Sequence, residues 1–166
     1  SFTPGLTSEE KPQKRKRIGF NKSFLINTYY PLYATFFAEL GIEPVLPQAC
    51  SRHGIERRNA AFCFPAELAH GFFHALLETQ PPPDFLFLPH FRAVPAYDNT
   101  ANSQVCPIVQ AETFYLRAAF KHELNDLETR RISLLSPLID LTQGLSAAKT
   151  PLIETAQRIG IGRRKA

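Results

Sequence analysis

Two cysteines of this chain share one setting, in which a proline follows closely at the start of a predicted helix: Phe62-Cys63-Phe64-Pro65 and Val105-Cys106-Pro107. Proline in the first turn of a helix loses no hydrogen bond, because the first amides there have no partner within the helix. A cysteine at this position lies near those free N–H groups and near the positive end of the helix dipole. Both stabilise a thiolate, the form that binds iron or zinc. The two motifs therefore predict two loops that converge on one site.

Several chemistries fit two such cysteines. A four-iron cluster usually takes four thiolates, so further ligands would have to come from Cys50, an absent domain, a second subunit or a non-protein ligand. The residues alone also allow inert buried thiols, a zinc site or a redox disulfide between Cys63 and Cys106. The chain has no Cys-x-x-Cys motif, which argues against a zinc ribbon and a thioredoxin-like site.

The histidines are less specific than the cysteines. His70 and His74 are spaced i, i+4, which places two imidazoles on one helix face as in zinc sites, but the Glu of the corresponding hydrolase motif is missing. Close packing at His70-Gly71 is the alternative. His90 follows an apolar run, at the edge of the predicted sheet where ligands bind, and we expect it to form a hydrogen bond or cap a helix.

Composition limits the class of protein. The chain has 166 residues, 44% hydrophobic and 20% charged, which predicts a single globular domain. Its net charge of +4 is concentrated in basic runs at the two ends, which we interpret as solvated tails rather than a nucleic-acid site. No apolar run is long enough to span a membrane. Three cysteines without a dense pattern favour a reducing compartment, and we expect a cytoplasmic protein.

Other features of the sequence point to a fragment without a nucleotide site. The chain begins with Ser1 and has no methionine, so we expect a piece of a larger multidomain protein. Because no apolar h-region occurs near residue 1, we expect no secretory signal in this part of the protein. No Gly-rich phosphate loop and no serine nucleophile elbow occur in it, and we predict no nucleotide site here.

Strand and helix patterns alternate along the chain. After a flexible basic linker at 1–16, we predict strands at 17–20, 42–46, 84–88 and 131–135, helices at 30–40, 65–78, 107–120 and 147–159, and long loops at 47–59 and 89–104. This alternation predicts a single α/β domain over 17–166. Its fold would be a three-layer Rossmann/flavodoxin-like one, with a mainly parallel sheet of about four strands and helices on both faces. In such sheets ligands bind beyond the carboxyl ends of the strands.

Several blocks of this sequence together resemble a known family. They are Ile18-Gly19-Phe20, Tyr30-Pro31-Leu32-Tyr33, Cys63-Phe64-Pro65 through His70-Gly71, Phe85-Leu-Phe-Leu-Pro89 and Cys106-Pro107. Over about residues 17 to 160 the chain resembles the dehydratase-like α/β domain of 2-hydroxyacyl-CoA dehydratase activase-related proteins, which are large anaerobic fusion proteins. The block from Cys63 to Gly71 is the most specific part of this resemblance.

The resemblance implies an iron–sulfur cluster, of the 4Fe-4S type, held by cysteines. It implies Cys63 and Cys106 as metal ligands, with Pro65, His70, Gly71 and Pro107 around them, whereas Cys50 lies outside the family's cysteine motifs. Asn21-Lys22 replaces the Pro-Arg often found after the first strand.

In function, the resemblance implies a module of a dehydratase/activase-like enzyme system that takes part in ATP-linked, low-potential electron transfer. The partner would be an ATPase activase module in the same or another chain, and an acyl-CoA substrate would be processed by other domains. We expect no catalysis by this domain alone. The alternative is a cofactor-free scaffold that docks the ATPase module.

Overall fold

The structure, a computed structural model, describes residues 15–58, 63–96, 103–129 and 132–162. The predicted linker at 1–16 and the basic C-terminal run therefore lie almost wholly outside the described residues. In chain order the strands are β1 Arg17–Phe20, β2 Glu43–Val45, β3 Phe85–Phe87, β4 His90–Ala93, β5 Ser133–Leu135 and β6 Leu138–Asp140. The helices are α1 Phe24–Glu39, α2 Arg52–Glu56, α3 Phe64–Leu77, α4 Pro107–Gln110, α5 Glu112–Ala119, α6 Lys121–Thr129 and α7 Lys149–Arg158, with a 3₁₀ helix at Leu145–Ala148 before α7.

The main sheet has four strands in the order β2-β1-β3-β5, and every pair in it is parallel. The predicted fold class is thereby confirmed. Strand β2 pairs with one edge of β1, and β3 pairs with the opposite edge of β1. The gap beyond the carboxyl ends of β1 and β3 is therefore a topological switch point, the place where such sheets bind ligands.

Apolar side chains cover both faces of this sheet, as the continuous apolar run of β3 requires. On one face Phe85 and Phe87 pack against α1 and α7, in a cluster that includes Phe20, Tyr33, Phe37 and Leu152. On the other face Leu86 and Leu88 pack against α3 and α5, in a cluster that includes Phe73, Leu76, Leu116 and Phe120. Alternate residues of one strand thus join two helical layers to the sheet.

Helix α1 begins earlier than its sequence pattern predicts. We expected a start near residue 30 with Pro31 in the first turn, but the helix begins at Phe24 and Pro31 lies inside it. The start follows Ser23, whose backbone is extended, as an N-cap residue requires. The predicted end is confirmed, since Gly41 has a φ of 78° and lets the chain leave the helix in the left-handed region.

Short elements inside predicted loops were missed. Helix α2 lies within the predicted loop 47–59, and β4 lies within the predicted loop 89–104. Strands β4 and β6 form a separate parallel pair that continues the direction of β3 and β5. Pro89 and Pro137 lie at the two junctions, where the amides of Leu88 and His90 still donate to the carbonyls of Leu135 and Pro137, each at 2.9 Å. Pro137 has no N–H to donate in return.

Helix α3 packs closely on the short helix α2 through two glycines. A Cβ at Gly71 would overlap the Cys50 sulfur and lie 2.9 Å from the Ser51 carbonyl oxygen. A Cβ at Gly54 would lie 2.6 Å from the His70 carbonyl oxygen. The two helix backbones can approach this closely only because neither position carries a side chain.

We expect Gly71→Ala to lower the free energy of unfolding by about 1–3 kcal/mol, because the added methyl group must displace the backbone at Ser51. Urea denaturation followed by circular dichroism measures this loss. Gly162→Ala is the matched control, since nothing lies within 4 Å of a Cβ there. Equal stabilities of the two variants would contradict the packing role of Gly71.

Candidate functional site

A buried polar cluster lies at the carboxyl end of β1, on the switch-point side of the sheet. Asn21 follows the last residue of β1, and its amide Nδ2 donates to Glu112 Oε1 at 2.8 Å and to the Ala69 carbonyl at 3.3 Å. The Ser23 hydroxyl donates to the same Glu112 oxygen. Asn21, Ser23 and Glu112 are all buried. These bonds connect the end of β1 with α3 and α5.

Glu112 is the acidic residue of this cluster, and its pKa is far from the usual value of a glutamate. Burial raises its pKa to about 7, although the hydrogen bonds from Ser23 and Asn21 act in the opposite direction. A carboxylic acid of this kind holds a proton in weakly acidic solution and loses it near neutral pH. It can therefore exchange a proton in the range where enzymes and metal sites work.

Tyr115 lies one helical turn after Glu112, and its hydroxyl is affected by the charge of Glu112 and of both cysteines. Burial raises the pKa of its hydroxyl, and the negative charges of Glu112, Cys63 and Cys106 raise it further. The hydroxyl oxygen is buried and has no hydrogen-bond partner among the described residues. Cys63 and Cys106 thus lie within electrostatic range of one and the same hydroxyl.

Cys63 lies where its motif predicts. It is the N-cap residue of α3, a helix of 14 residues with Pro65 in its first turn. Its carbonyl oxygen accepts the amides of Ala66 and Glu67, at 3.0 and 3.2 Å. Its side chain makes no capping hydrogen bond and is exposed as a free thiol. The sulfur is therefore accessible to a metal or a partner.

Cys106 is exposed, as Cys63 is, but the helix that follows it is much shorter than its motif predicts. Cys106 precedes Pro107 and is an exposed free thiol. The predicted helix 107–120 is present but is interrupted at Ala111, which divides it into the four-residue α4 and the separate α5. A helix of one turn has little dipole, so the helix-start setting that the sequence predicts is weaker at Cys106 than at Cys63. Pro107 still begins a helix, and α6 then extends beyond the predicted end.

Cys50 is packed in a different way. Its side chain is partly buried against Gly71, where it lies 3.9 Å from the Leu68 carbonyl oxygen. Burial raises the pKa of its thiol. A thiol with a raised pKa is a weaker nucleophile and metal ligand at neutral pH, so its surroundings favour a packing role.

His70 and His74 take part in packing and hydrogen bonding. Nδ1 of His70 donates to the Ala66 carbonyl at 2.7 Å, and its ring stacks on Tyr115 with centroids 5.0 Å apart. Burial lowers the pKa of His70, which favours a neutral ring. The rings of both histidines also lie beside Phe120, with centroids 6.2 and 5.9 Å away.

Ser51, His74 and Glu78 resemble a hydrolase triad only in composition. The Ser51 hydroxyl lies 2.9 Å from His74 Nδ1, and Glu78 Oε2 lies 3.2 Å from the same nitrogen. A relay needs the nucleophile and the carboxylate on opposite ring nitrogens. The Ser51 oxygen also accepts the Gly54 amide at 3.2 Å and so caps α2. The arrangement joins α2 to α3 and does not activate a nucleophile.

His90 lies in a groove beside Cys106. Its ring donates to the Gln110 carbonyl, and its centroid is 4.8 Å from that of Phe114. Burial lowers its pKa. The groove has a volume of about 640 Å³, and Pro107, Arg92, Ala111 and Leu138 are among the residues that line it. Hydrogen bonding by His90 to the end of α4 matches the capping role that the sequence suggests.

Within the described ranges no three His, Cys, Asp or Glu side chains lie close enough together to hold a metal ion. The thiols of Cys63 and Cys106 are soft donors of the kind that iron–sulfur clusters use, but they supply only part of a ligand set. No helix in the same ranges is long and apolar enough to cross a membrane.

Sequence reasoning missed Glu112, and a signal for it was available. In the predicted helix 107–120, Glu112 lies one turn before Leu116, on the face that packs into the core. A lone carboxyl on an apolar helix face is unusual, because a buried acid needs partners. Its partners Asn21 and Ser23 lie some ninety positions earlier in the chain, and no local pattern connects them.

The fold and this cluster define a parallel α/β domain whose candidate site lies at the switch point of the sheet, flanked by two exposed cysteines. Over residues 17–166 the chain matches the family described as CoA enzyme activase uncharacterised domain (DUF2229), and it belongs to that family. The predicted resemblance to CoA-enzyme activase-related proteins is confirmed. Neither a curated protein nor a solved structure matches this sequence.

Glu112→Gln tests the buried carboxyl. Since burial raises its folded pKa from 4.5 to about 7, wild-type stability falls as pH rises through this range. Glutamine stays neutral and can still accept from Ser23, so at about pH 8 the variant should be more stable, by up to about 3 kcal/mol. At about pH 4 the two proteins should have nearly equal stability. Urea unfolding at both pH values measures the difference, and a pH-independent difference would contradict the assignment.

Proposed function

We propose that this domain binds an iron–sulfur cluster through Cys63 and Cys106 and takes part in ATP-linked electron transfer in a CoA-enzyme system. The observation that carries the proposal is the placement of the two thiols. Both are exposed, both precede a proline at a helix start, and both act electrostatically on Tyr115. When bound, such a cluster supplies one-electron transfer at low potential.

The donor set supports a shared cluster. Two thiolates suit iron in kind but not in number, so the remaining ligands come from another domain, a second subunit or a non-protein ligand. Accessible thiols at the edge of the domain suit such sharing, because a partner can approach them from outside. Cys50 is a poor candidate for a third ligand, since its thiol is packed on Gly71 and its pKa is raised.

Anaerobic reconstitution with iron and sulfide tests this function. We expect the wild-type protein to take up iron and to give an EPR signal after reduction. The double variant Cys63→Ser and Cys106→Ser should lose most of the bound iron. Cys50→Ser is the matched control and should keep it. Iron uptake by the double variant equal to that of the wild type would refute the cluster.

A second function rests on the apolar residues around the cysteines. Phe64, Phe114 and Leu138 are 67%, 68% and 58% exposed. Phe64 follows Cys63, while Phe114 and Leu138 line the groove beside Cys106. Exposed apolar side chains of this size are typical of a binding surface. In this alternative the domain is a cofactor-free scaffold that docks the activase ATPase module.

Co-expression with an activase ATPase module distinguishes the two functions. If the domain is a scaffold, Phe114→Asp should weaken co-purification at least about ten-fold, because it places a charge in an apolar contact. The cysteine double variant should then bind the module as well as the wild type does. Circular dichroism checks the fold of each variant. Unchanged binding by Phe114→Asp would contradict the scaffold function.

A further inference from the structure

The two ends of the described chain meet at one cleft. Arg15 and Lys16, which precede β1, line this cleft together with Ile159, Gly160 and Ile161, which follow α7. The two segments are more than 140 positions apart in the sequence. Only the fold brings them together.

Hydrogen bonds hold both segments on the body of the domain. The Lys16 carbonyl accepts the amide of Glu43, the first residue of β2, at 2.8 Å, and the Ile161 amide donates to the Ala156 carbonyl at 3.0 Å. The side chains of Ile159 and Ile161 pack against the core cluster that includes residues of β1 and α1. Since β1 and β2 both begin beside it, the cleft lies at the amino ends of the strands, opposite to the candidate site.

Basic residues are concentrated around this cleft. Arg15 and Lys16 are exposed. In the sequence, the two segments continue outside the described residues with further cations, which are Lys11, Lys14, Arg163, Arg164 and Lys165. Even when Glu9 and Glu10 are counted, these two ends of the chain carry a charge of +5, more than the +4 of the whole chain. The positive charge of the protein is therefore concentrated at its two ends, and such a field attracts anions.

The negative groups near the cleft are engaged or offset. Glu43 forms an ion pair of 3.8 Å with Arg17, and the Asp84 carboxylate accepts the Arg17 amide at 2.8 Å. Glu39 and Arg158, the last residues of α1 and α7, are both exposed and offset each other. The carboxyl ends of these two helices add only about half an elementary charge each. The cations of the two segments exceed that charge.

The lining of the cleft is apolar as well as basic. Leu40, Ile42, Ile159 and Ile161 line it, and its volume is about 390 Å³. This volume is within the range of about 300–1,000 Å³ that is typical of ligand clefts. No aromatic ring of the described residues lines the cleft, whereas single-stranded nucleic acids are bound by stacking on such rings. An apolar cleft with basic residues around it fits a peptide that carries both apolar and acidic side chains.

We propose that this cleft binds an acidic segment of a partner protein, with apolar side chains in the cleft and carboxylates paired with the two basic segments. The inference goes beyond the proposed function and does not depend on it, because Cys63 and Cys106 take no part in the cleft. Charge complementarity of this kind raises the rate of association and makes binding sensitive to salt.

Fluorescence anisotropy with the whole 166-residue chain tests this surface. The probe is a labelled peptide that alternates glutamate with leucine. The comparison probes are a peptide that alternates glutamate with serine and a single-stranded DNA of equal length. The leucine peptide should bind most tightly, and its affinity should fall at least about ten-fold between about 50 and about 300 mM salt. Absent binding, tighter binding of the DNA, or equal binding of the serine peptide would each overturn the proposal.

Charge variants at the two segments test whether both contact the same ligand. Arg15→Gln combined with Lys16→Gln should weaken binding of the leucine peptide at least about three-fold. Arg163→Gln combined with Arg164→Gln, at the other end of the chain, should weaken it by a similar factor. Circular dichroism checks the fold of each variant. Unchanged binding in either variant would contradict a shared site.

Arg52→Gln combined with Lys121→Gln is the matched control. It also removes two positive charges, but from exposed residues that do not line the cleft. This variant should bind the leucine peptide as the wild type does. Equal weakening in the control and in the two test variants would mean that net charge alone governs binding, and the proposal would then be wrong.

Discussion

The buried side chain of Asn21 connects the end of β1 with the helices α3 and α5. Its amide group bonds the Ala69 carbonyl on α3 and the Glu112 carboxyl on α5, directly after the central strand β1 ends. Helix α3 carries Cys63 at its start, and α5 follows the short helix that Cys106 precedes. One buried side chain thus fixes the end of the sheet relative to both segments that carry the exposed thiols. A buried polar group is costly unless it is bonded, so the donors of Asn21 and Ser23 specify where the buried Glu112 carboxyl lies.

The three cysteines show how the surroundings decide the chemistry of one residue type. Cys50 fills the space above Gly71 and serves the contact between α2 and α3. Cys63 and Cys106 are exposed at helix starts, with uncapped side chains, at the edge where a parallel sheet binds ligands. The chain belongs to a family described as a CoA enzyme activase uncharacterised domain, and an iron–sulfur role for these thiols stays a proposal.

Much of the fold could be predicted from the sequence, because the strongest local patterns correspond to its main elements. The apolar run of β3 and the amphipathic pattern of α3 were both placed within one or two residues. The start of α1 was wrong because Pro31 looked like a first-turn residue, whereas packing of Ile26 into the core extends the helix to Phe24. Strands β4 and β6 were missed because each is only three or four residues long and pairs with a segment far away in the sequence.

By itself the sequence determined the parallel α/β class, the family and the positions of the two Cys and Pro motifs. These depend on hydrophobic periodicity and on residues adjacent in the chain, so local patterns reveal them. Only the tertiary structure decided that α4 is a single turn, that Cys50 is a packing residue, and that Glu112 meets Asn21 and Ser23. Each of these depends on burial and on contacts between segments far apart in the chain. Burial is what raises the pKa of Glu112, and no sequence pattern states how deeply a single carboxyl will be buried.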